Sequence, residues 1–238
     1  MPKNDLIAVS LIIPTYNEAK NVPFLIEEIF GAVDKNKIDL EFIIVDDNSP
    51  DGTGKIAEEL ASKYPVRVIH RRGKLGLGTA VIEGFKLSKR EYMGAMDGDM
   101  SHNPVILNQM ISSLVDNDIA IGNRFGEGSG IENWGLHRRM ISGAGVFLAK
   151  ILTRTKDPLS GYFFMKKSVI SGVKLKTTGY KILFEILVKG NYKKVKEFPY
   201  TFRMRKYSAS KLNAKEFILF LGQIGSYGLY KIIKLFKS

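Results

Sequence analysis

Four times within the first hundred residues a short apolar run ends abruptly in polar, turn-forming residues. Residues 8–13 (AVSLII) stop at Pro14 and the cluster 15–18. Residues 40–45 (LEFIIV) stop at DDNSPDGT. Residues 66–70 lead into the glycine-rich GKLGLG, and residues 92–96 stop at the cluster 97–103. Runs this short and continuous read as strands buried on both faces, the pattern of a parallel sheet. The stretches between them have helical spacing. Val22, Leu25, Ile26, Ile29, Phe30 and Val33 share one helix face, and further helices are predicted at 56–64, 80–87 and 105–115, with a fifth strand at 119–121. Such alternation winds into a doubly wound, mostly parallel α/β sheet covered on both faces. Ligands of these sheets bind beyond the carboxyl ends of the strands, where all four polar clusters are expected.

The second half is built differently. Helices are predicted at 138–152 and 182–188, a strand at 162–166, and one or two strands across 192–205. Residues 213–236 read as one long helix or a pair, weakened by Gly222, Gly225 and Gly228. Charge divides in the same region. Residues 1–137 hold 14 Lys and Arg against 20 Asp and Glu, a net of −6, whereas residues 138–238 hold 22 against 4, a net of +18. A basic half either faces an anionic partner (nucleic acid, lipid headgroups, a phosphorylated substrate) or is a solvated surface. The most apolar uncharged run, 217–230, falls short of the ~20 residues a spanning helix needs. The first residues lack a basic segment followed by a long apolar one, so no signal peptide is expected. The absence of cysteine excludes disulfides, thiolate metal sites and a cysteine nucleophile.

Asp97-Gly98-Asp99 is the sharpest chemical signal. Two carboxylates one residue apart at a strand end can aim at one point, and hard oxygen ligands suit Mg²⁺ or Mn²⁺ completed by substrate phosphates and water. The alternative is a polar turn in which Asp99 caps the next helix; the neighbouring polar clusters favour the metal. GKLGLG matches neither the P-loop nor the dinucleotide fingerprint, and stands open between a phosphate cradle and a flexible turn. Asp46 and Asn48 alternate onto one side of their strand's end, toward a base or ribose, with Asp51 capping the following helix; the bland alternative is turn chemistry throughout. Arg203, Arg205, Lys206 and Lys211, with Arg124 and Arg138–Arg139, suit phosphate, although each alone also reads as a solvated charge. The three histidines, His70, His102 and His137, show no zinc-ligand spacing and are read as structural. Serine has no evident partnered base, so a hydrolytic triad has no support.

Eight blocks follow one another along residues 8–212: PTYNE (14–18), VDDNSPDGT (45–53), GKLGLGTA (73–80), the Asp97/Asp99 pair, GNRF (122–125), WGLHRRMIS (134–142), LSGYF (159–163) and RMRKYSASKL (203–212). In this order they resemble the inverting, processive-type glycosyltransferases of A-type fold, and among those the dolichyl-phosphate mannose synthases. The resemblance implies a nucleotide-diphospho-sugar transferase domain over 1–212, followed by a C-terminal amphipathic helical segment over 213–238. It assigns nucleotide binding to Pro14, Tyr16, Glu18, Asp46, Asn48 and Asp97. The metal would be held by Asp97 and Asp99, with Ser101 a third ligand. Arg205 and Lys211 would grip the donor pyrophosphate and, with Asp99, carry catalysis. Arg124, Arg138 and Ser142 would receive an acceptor phosphate. Three positions depart from the pattern: Gly98 where Ala is usual, Ser101 where Gln is common, and Ser208 in place of a glycine. The C-terminal transmembrane helices of some members have no counterpart in the sequence.

What the resemblance implies for function is transfer of mannose from GDP-mannose, with inversion, to a polyprenyl or dolichyl phosphate, at the cytoplasmic face of a membrane. An acceptor that arrives as an anion needs cations to position it and no general base. Carboxylates in the second half are few (Asp157, Glu185, Glu197 and Glu216), which favours a phosphate over a hydroxyl acceptor. The alternatives are a polyprenyl-phosphate glucosyltransferase, a transferase to a glycan hydroxyl, and a nucleotide-sugar sensor without turnover. Nucleic-acid binding rests on charge alone and is opposed by the carboxylate clusters. Attachment to the membrane is expected to be peripheral. Lys231, Lys234 and Lys237 lie opposite Leu229, Ile232, Ile233 and Phe236, the pattern of an interfacial helix or of a stripe on which a small membrane-anchoring subunit docks.

Overall fold

The computed structural model describes residues 6–132, 136–176, 181–204 and 214–236. Among the described residues nine strands are formed: β1 (Ile7–Thr15), β2 (Ile38–Asp46), β3 (Val66–His70), β4 (Tyr92–Ala95), β5 (Ile119–Asn123), β6 (Gly130–Ile131), β7 (Phe163–Lys166), β8 (Val195–Pro199) and β9 (Thr201–Phe202). The helices are α1 (Val22–Ala32), α2 (Thr53–Leu60), α3 (Leu77–Leu87), α4 (Leu107–Ser113), α5 (Leu136–Leu152), α6 (Ile182–Lys189) and α7 (Ala214–Leu235). Seven strands make one sheet in the order β3-β2-β1-β4-β7-β5-β8, and β6 and β9 pair as a separate ribbon. Every pairing in the large sheet is parallel except the two made by β7. The mostly parallel α/β sheet expected from the alternation is thus present. The single reversal matters for the site: β7 begins at the edge where its neighbours end, so the LSGYF turn joins the loops that follow β1, β2 and β4.

The sheet is buried on both faces because successive side chains of a strand point oppositely. From β1, Val9, Leu11 and Ile13 pack with α1 and α4, while Ile12 packs with α3 and α6 on the other side. A third cluster joins α5, α6 and α7 through Val146, Ala149, Phe184, Val188, Phe220 and Tyr227.

Local differences from the sequence reading have identifiable causes. β1 runs through Pro14, because β4 pairs only as far as Ile12 and the missing N–H faces the side that β4 has already left. The helix expected at 105–115 opens as a 3₁₀ turn at Pro104–Ile106, capped by Asn103, whose side chain accepts from the Val105 N–H at 3.1 Å. The stretch 192–205 holds two strands, and they belong to different sheets. β6, only two residues long and containing a glycine, has no strand signature. α7 is one helix through Gly222, Gly225 and Gly228. Each glycine costs about 1 kcal/mol in a helix interior, and burial of Phe220, Gln223 and Tyr227 on one face offsets that cost. Among the described residues no helix is long and apolar enough to cross a membrane.

Candidate active site

The carboxyl edge of β1 and β2 is laced together by its own side chains. Asp46 closes onto the chain: its carboxylate accepts from Thr15 Oγ1 at 3.0 Å, from the Ser49 N–H at 2.9 Å and from Ser49 Oγ at 2.5 Å. Asp51 accepts from the Thr53 N–H and from Ala19 N–H, both at 3.1 Å, and so ties the start of α2 to the loop after β1. Burial would raise the Asp51 carboxyl, but the hydrogen bonds from Thr53 and Ala19 outweigh it and hold it below the usual carboxylate range. The backbone N–H groups of Asn17 and Glu18 donate to Ser49 Oγ (3.0 Å) and Thr53 Oγ1 (2.9 Å). Glu18 is buried and accepts from Asn21 Nδ2 at 2.6 Å; Tyr16 lies half-buried under the Lys74 ammonium, 4.2 Å from its ring centroid.

Asp47 works alongside. It accepts from Arg71 Nη1 at 2.5 Å and from the Gly76 N–H at 2.8 Å, while Arg71 reaches Thr79 Oγ1 at 2.7 Å. The GKLGLG turn is therefore pinned to β2. The Gly76 N–H already has a carboxylate partner, which favours the turn reading over a phosphate cradle. Gly76 itself has φ 100°, a conformation that suits glycine. Among the described residues, Asn17, Asn48 and Met100 also adopt positive φ without being glycine, near 60° and each shortly after a strand of this edge. Such backbone persists where surrounding contacts impose it, and clusters at binding sites.

The turn after β4 carries Asp97, Asp99, Ser101 and His102. Asp99 is buried, and its Oδ1 accepts from Ser101 N–H (3.1 Å) and Ser101 Oγ (2.5 Å). Asp97 is partly exposed; its Oδ2 lies 3.3 Å from His102 Nε2. On the ring's other side Nδ1 is 2.7 Å from Tyr200 Oη. His102 is 1% exposed, with the rings of Tyr162, Tyr200 and Phe202 around it at 5.3–5.8 Å between centroids. Asp97 also abuts the LSGYF turn so closely that a Cβ at Gly161 would stand 2.7 Å from its Oδ2. The segment that begins RMRK returns to the same turn, since the Arg203 N–H donates to the Ser101 carbonyl at 2.8 Å.

Arg124, at the end of β5, is buried in an ion pair with Asp157. Nε and Nη2 meet the two carboxylate oxygens at 2.8 and 2.9 Å, and the Arg124 backbone N–H adds a third bond at 3.1 Å. Burial alone would raise the Asp157 carboxyl; the charge and hydrogen bonds of Arg124 outweigh it and hold it below the usual range. Burial pushes the Tyr200 phenol far up, so it stays protonated.

The sequence-predicted residues thus fall in three places. Pro14, Tyr16, Glu18, Asp46, Asn48, Asp97, Asp99 and Ser101 lie along one edge, on β1, β2, β4 and the loops that follow them. Asn48 is exposed there, whereas Asp46 is turned into its own loop. Arg124 and Ser142 belong to β5's end and α5; Arg138 is in α5 with its side chain outside the described residues, as are Arg205 and Lys211 altogether. Sequence reasoning missed Asp47, Arg71, Tyr200 and the Asp157 pairing, which depend on partners 24 to 98 positions away. His102 had one usable signal, its place three residues after Asp99.

Do these residues suit a divalent cation? The donors offered by Asp97, Asp99 and Ser101 are all oxygens, and Ser101 closes the turn onto Asp99. No group of three or more His, Asp or Glu is arranged for a metal among the described residues. The chemistry of the donors, two carboxylates and a hydroxyl, suits a hard cation such as Mg²⁺ or Mn²⁺.

Residues 10–211 match the model of glycosyl transferase family 2. The chain belongs to this family. It is 42% identical over 233 residues to the dolichol-phosphate mannosyltransferase of Pyrococcus furiosus, covering 95% of this chain and 64% of that protein. The chain therefore spans just under two thirds of that relative's length. It is 34% identical to the enzyme of the same name from Saccharomyces cerevisiae (94% and 88% of the two chains), and 33% identical to that of Mycosarcoma maydis (90% and 77%). Within family 2 it thus groups with the dolichol-phosphate mannosyltransferases. Among solved structures, glucosyl-3-phosphoglycerate synthase from Mycobacterium tuberculosis, in complex with Mn²⁺ and UDP, superposes with a TM-score of 0.65 at 18% identity, over 94% of this chain and 79% of the other. Mannosyl-3-phosphoglycerate synthase from Rubrobacter xylanophilus gives 0.63 at 15% identity, over 96% and 75%. At these identities the likeness shows the shared fold.

Proposed function

We propose that this glycosyltransferase moves mannose from GDP-mannose, with inversion, onto dolichyl or another polyprenyl phosphate. The observation that carries the reading is the Asp97–Asp99 turn at the carboxyl edge, in a chain 33–42% identical to three dolichol-phosphate mannosyltransferases over at least 90% of its length. Pro14, Tyr16, Glu18, Asp46 and Asn48 frame the nucleotide, Glu18 and Asp46 from a loop network already closed on itself. Asp97 and Asp99, with Ser101, would hold Mg²⁺ or Mn²⁺. When bound, the cation would neutralise charge growing on the departing nucleoside diphosphate. Arg205 and Lys211 share that task on the pyrophosphate and stabilise the leaving group. Arg138 and Ser142 receive the acceptor phosphate. Arg124 acts at the same place, its guanidinium held in one orientation by Asp157. The acceptor oxygen is already anionic, so these residues position it and withdraw no proton.

The catalytic unit spans 1–212. Residues 213–238 hold the protein peripherally on the cytoplasmic face of a membrane, directly or through a small anchoring subunit. α7 buries Phe220 and Tyr227 against α5 and α6 while leaving Leu229, Ile232, Ile233 and Phe236 exposed, which supports a surface for lipid or for such a subunit. Assays with GDP-mannose, UDP-glucose and UDP-GlcNAc, each with polyprenyl phosphate and Mn²⁺, test the reading. Lipid-linked mannose and GDP are the expected products; faster turnover of either UDP-sugar overturns the donor assignment.

A further inference from the structure

We propose that His102 is a positioning residue for Asp97, and that Tyr200 sets the proton arrangement this requires. The inference rests on the reading of Asp97 as a metal-holding carboxylate. The ring is clamped between two partners of different character. A carboxylate only accepts, so the nitrogen facing Asp97, Nε2, carries the proton and donates across 3.3 Å. Nδ1 is then the acceptor, and the Tyr200 hydroxyl, 2.7 Å away, donates to it. The chain Tyr200 O–H to His102 Nδ1, His102 Nε2–H to Asp97 Oδ2 runs in one direction and leaves neither ring nitrogen without a role.

Three further observations make this a built arrangement. His102 and Tyr200 are 1% and 3% exposed, so water does not compete for either bond. Tyr162, Tyr200 and Phe202 pack around the imidazole and hold its plane. Tyr200 is itself fixed through its backbone, donating to the Asn123 carbonyl at 3.1 Å and accepting from the Gly130 N–H at 3.3 Å. The loop after β5 and the ribbon of β6 and β9 are thereby coupled to the orientation of one carboxylate at the mouth of the site. Behind a metal ligand, a hydrogen-bond partner of this kind fixes rotamer and basicity, and its loss commonly costs 10–100-fold in metal affinity.

The test uses the full chain and two readouts. In the metal-free protein, ¹H–¹⁵N spectra of the histidine side chains should show His102 as the Nε2–H tautomer, resolved from the other two histidines, His70 and His137, by the His102→Leu spectrum. Tyr200→Phe keeps the ring but removes the donor, and should shift that tautomer balance. Mn²⁺ titrated in the presence of GDP and followed by EPR should bind about 10–100-fold more weakly in His102→Leu and about tenfold more weakly in Tyr200→Phe. His102→Gln, whose amide can donate from a similar position, should recover most of the affinity. Thermal melts identify any variant that is not folded, and Tyr200→Phe carries the test if His102→Leu is not. An Nδ1–H tautomer in the wild-type protein, or equal Mn²⁺ affinity in wild type and Tyr200→Phe, overturns the proposal and leaves the metal assignment standing. Failure of the wild-type chain to bind Mn²⁺ overturns both.

Discussion

Around β1 and β2, acidic side chains close onto donors of the chain itself: Asp46 onto Thr15 and Ser49, Asp47 onto Arg71 and Gly76, Asp51 onto Thr53 and Ala19. Around α5 and α7 the surface is of another kind. Phe147, Ile151, Leu229, Ile232, Ile233 and Phe236 are all between 45% and 87% exposed, in the half that carries the net +18. The first region is preorganised before any ligand arrives, so binding there orders little and its geometry is available to chemistry. Exposed apolar side chains set in a basic region are, by contrast, the signature of a surface completed from outside the chain. One half is closed onto its own donors; the other leaves apolar side chains open at its surface.

The sharpest way to break this contrast is at the Asp97–Asp99 turn. On the proposed role of Asp99 in holding the cation, Asp99→Asn should lower transfer by about 10³-fold or more, through loss of an ion that would offset charge developing in the transition state. It should leave the melting temperature close to wild type. Activity retained in this variant, measured with saturating Mn²⁺, would remove the turn from the site.

Next in size is the buried pair of the second half. Asp157→Ala leaves the Arg124 guanidinium buried without its partner and should cost about 3–5 kcal/mol in urea unfolding. The sign of its pH dependence follows from the lowered Asp157 carboxyl. The stabilisation is present above the ordinary carboxyl value of 3.8 and is lost as pH falls below it through the lower folded value. Asp157→Asn should flatten that acidic limb of the stability curve relative to wild type. Equal slopes in the two proteins would mean that other carboxylates set it.

The exposed apolar side is tested by Ile232→Asp combined with Phe236→Asp. Each removes an exposed apolar side chain, so folding should be unaffected while partition onto anionic vesicles falls about tenfold or more. A chain ending at Gly228 keeps Phe220 and Tyr227 and should behave the same way in flotation. Undiminished flotation of both would move the contact elsewhere, with the exposed Phe147 and Ile151 of α5 the next positions to change.

The smallest effect is expected at Gly98. A Cβ there would stand 3.3 Å from Thr15 Cγ2 and 3.4 Å from the Pro14 carbonyl, tight but open to a slight shift. Gly98→Ala should change stability and turnover by no more than about 0.5 kcal/mol. A larger loss would mean that the turn is packed against β1 more rigidly than its neighbours indicate.

Much of the fold could be read in advance because it depends on local pattern. The uninterrupted apolar runs of β1 and β2 signal burial on both faces, and that requirement alone selects a parallel sheet with helices on each side. Asp97 and Asp99 stood out for the same local reason: their spacing and their strand are visible in a dozen residues. Where the sequence left two readings open, the deciding force came from far away. α7 continues through three glycines because Phe220, Gln223 and Tyr227 find a surface on α5 and α6.

The sequence by itself determined which residue types gather at the carboxyl edge, since strand periodicity and turn chemistry act over a few residues. The tertiary structure alone decided how those residues are held. Arg71 meets Asp47 across 24 positions, Arg124 meets Asp157 across 33, and Tyr200 meets His102 across 98. Nothing in local propensity encodes such pairs. They form because the sheet order brings β2 beside β3, β8 beside β5, and the reversed β7 to the edge where the parallel strands end. Once a polar group is buried there, the cost of leaving it unpaired decides which partner it takes.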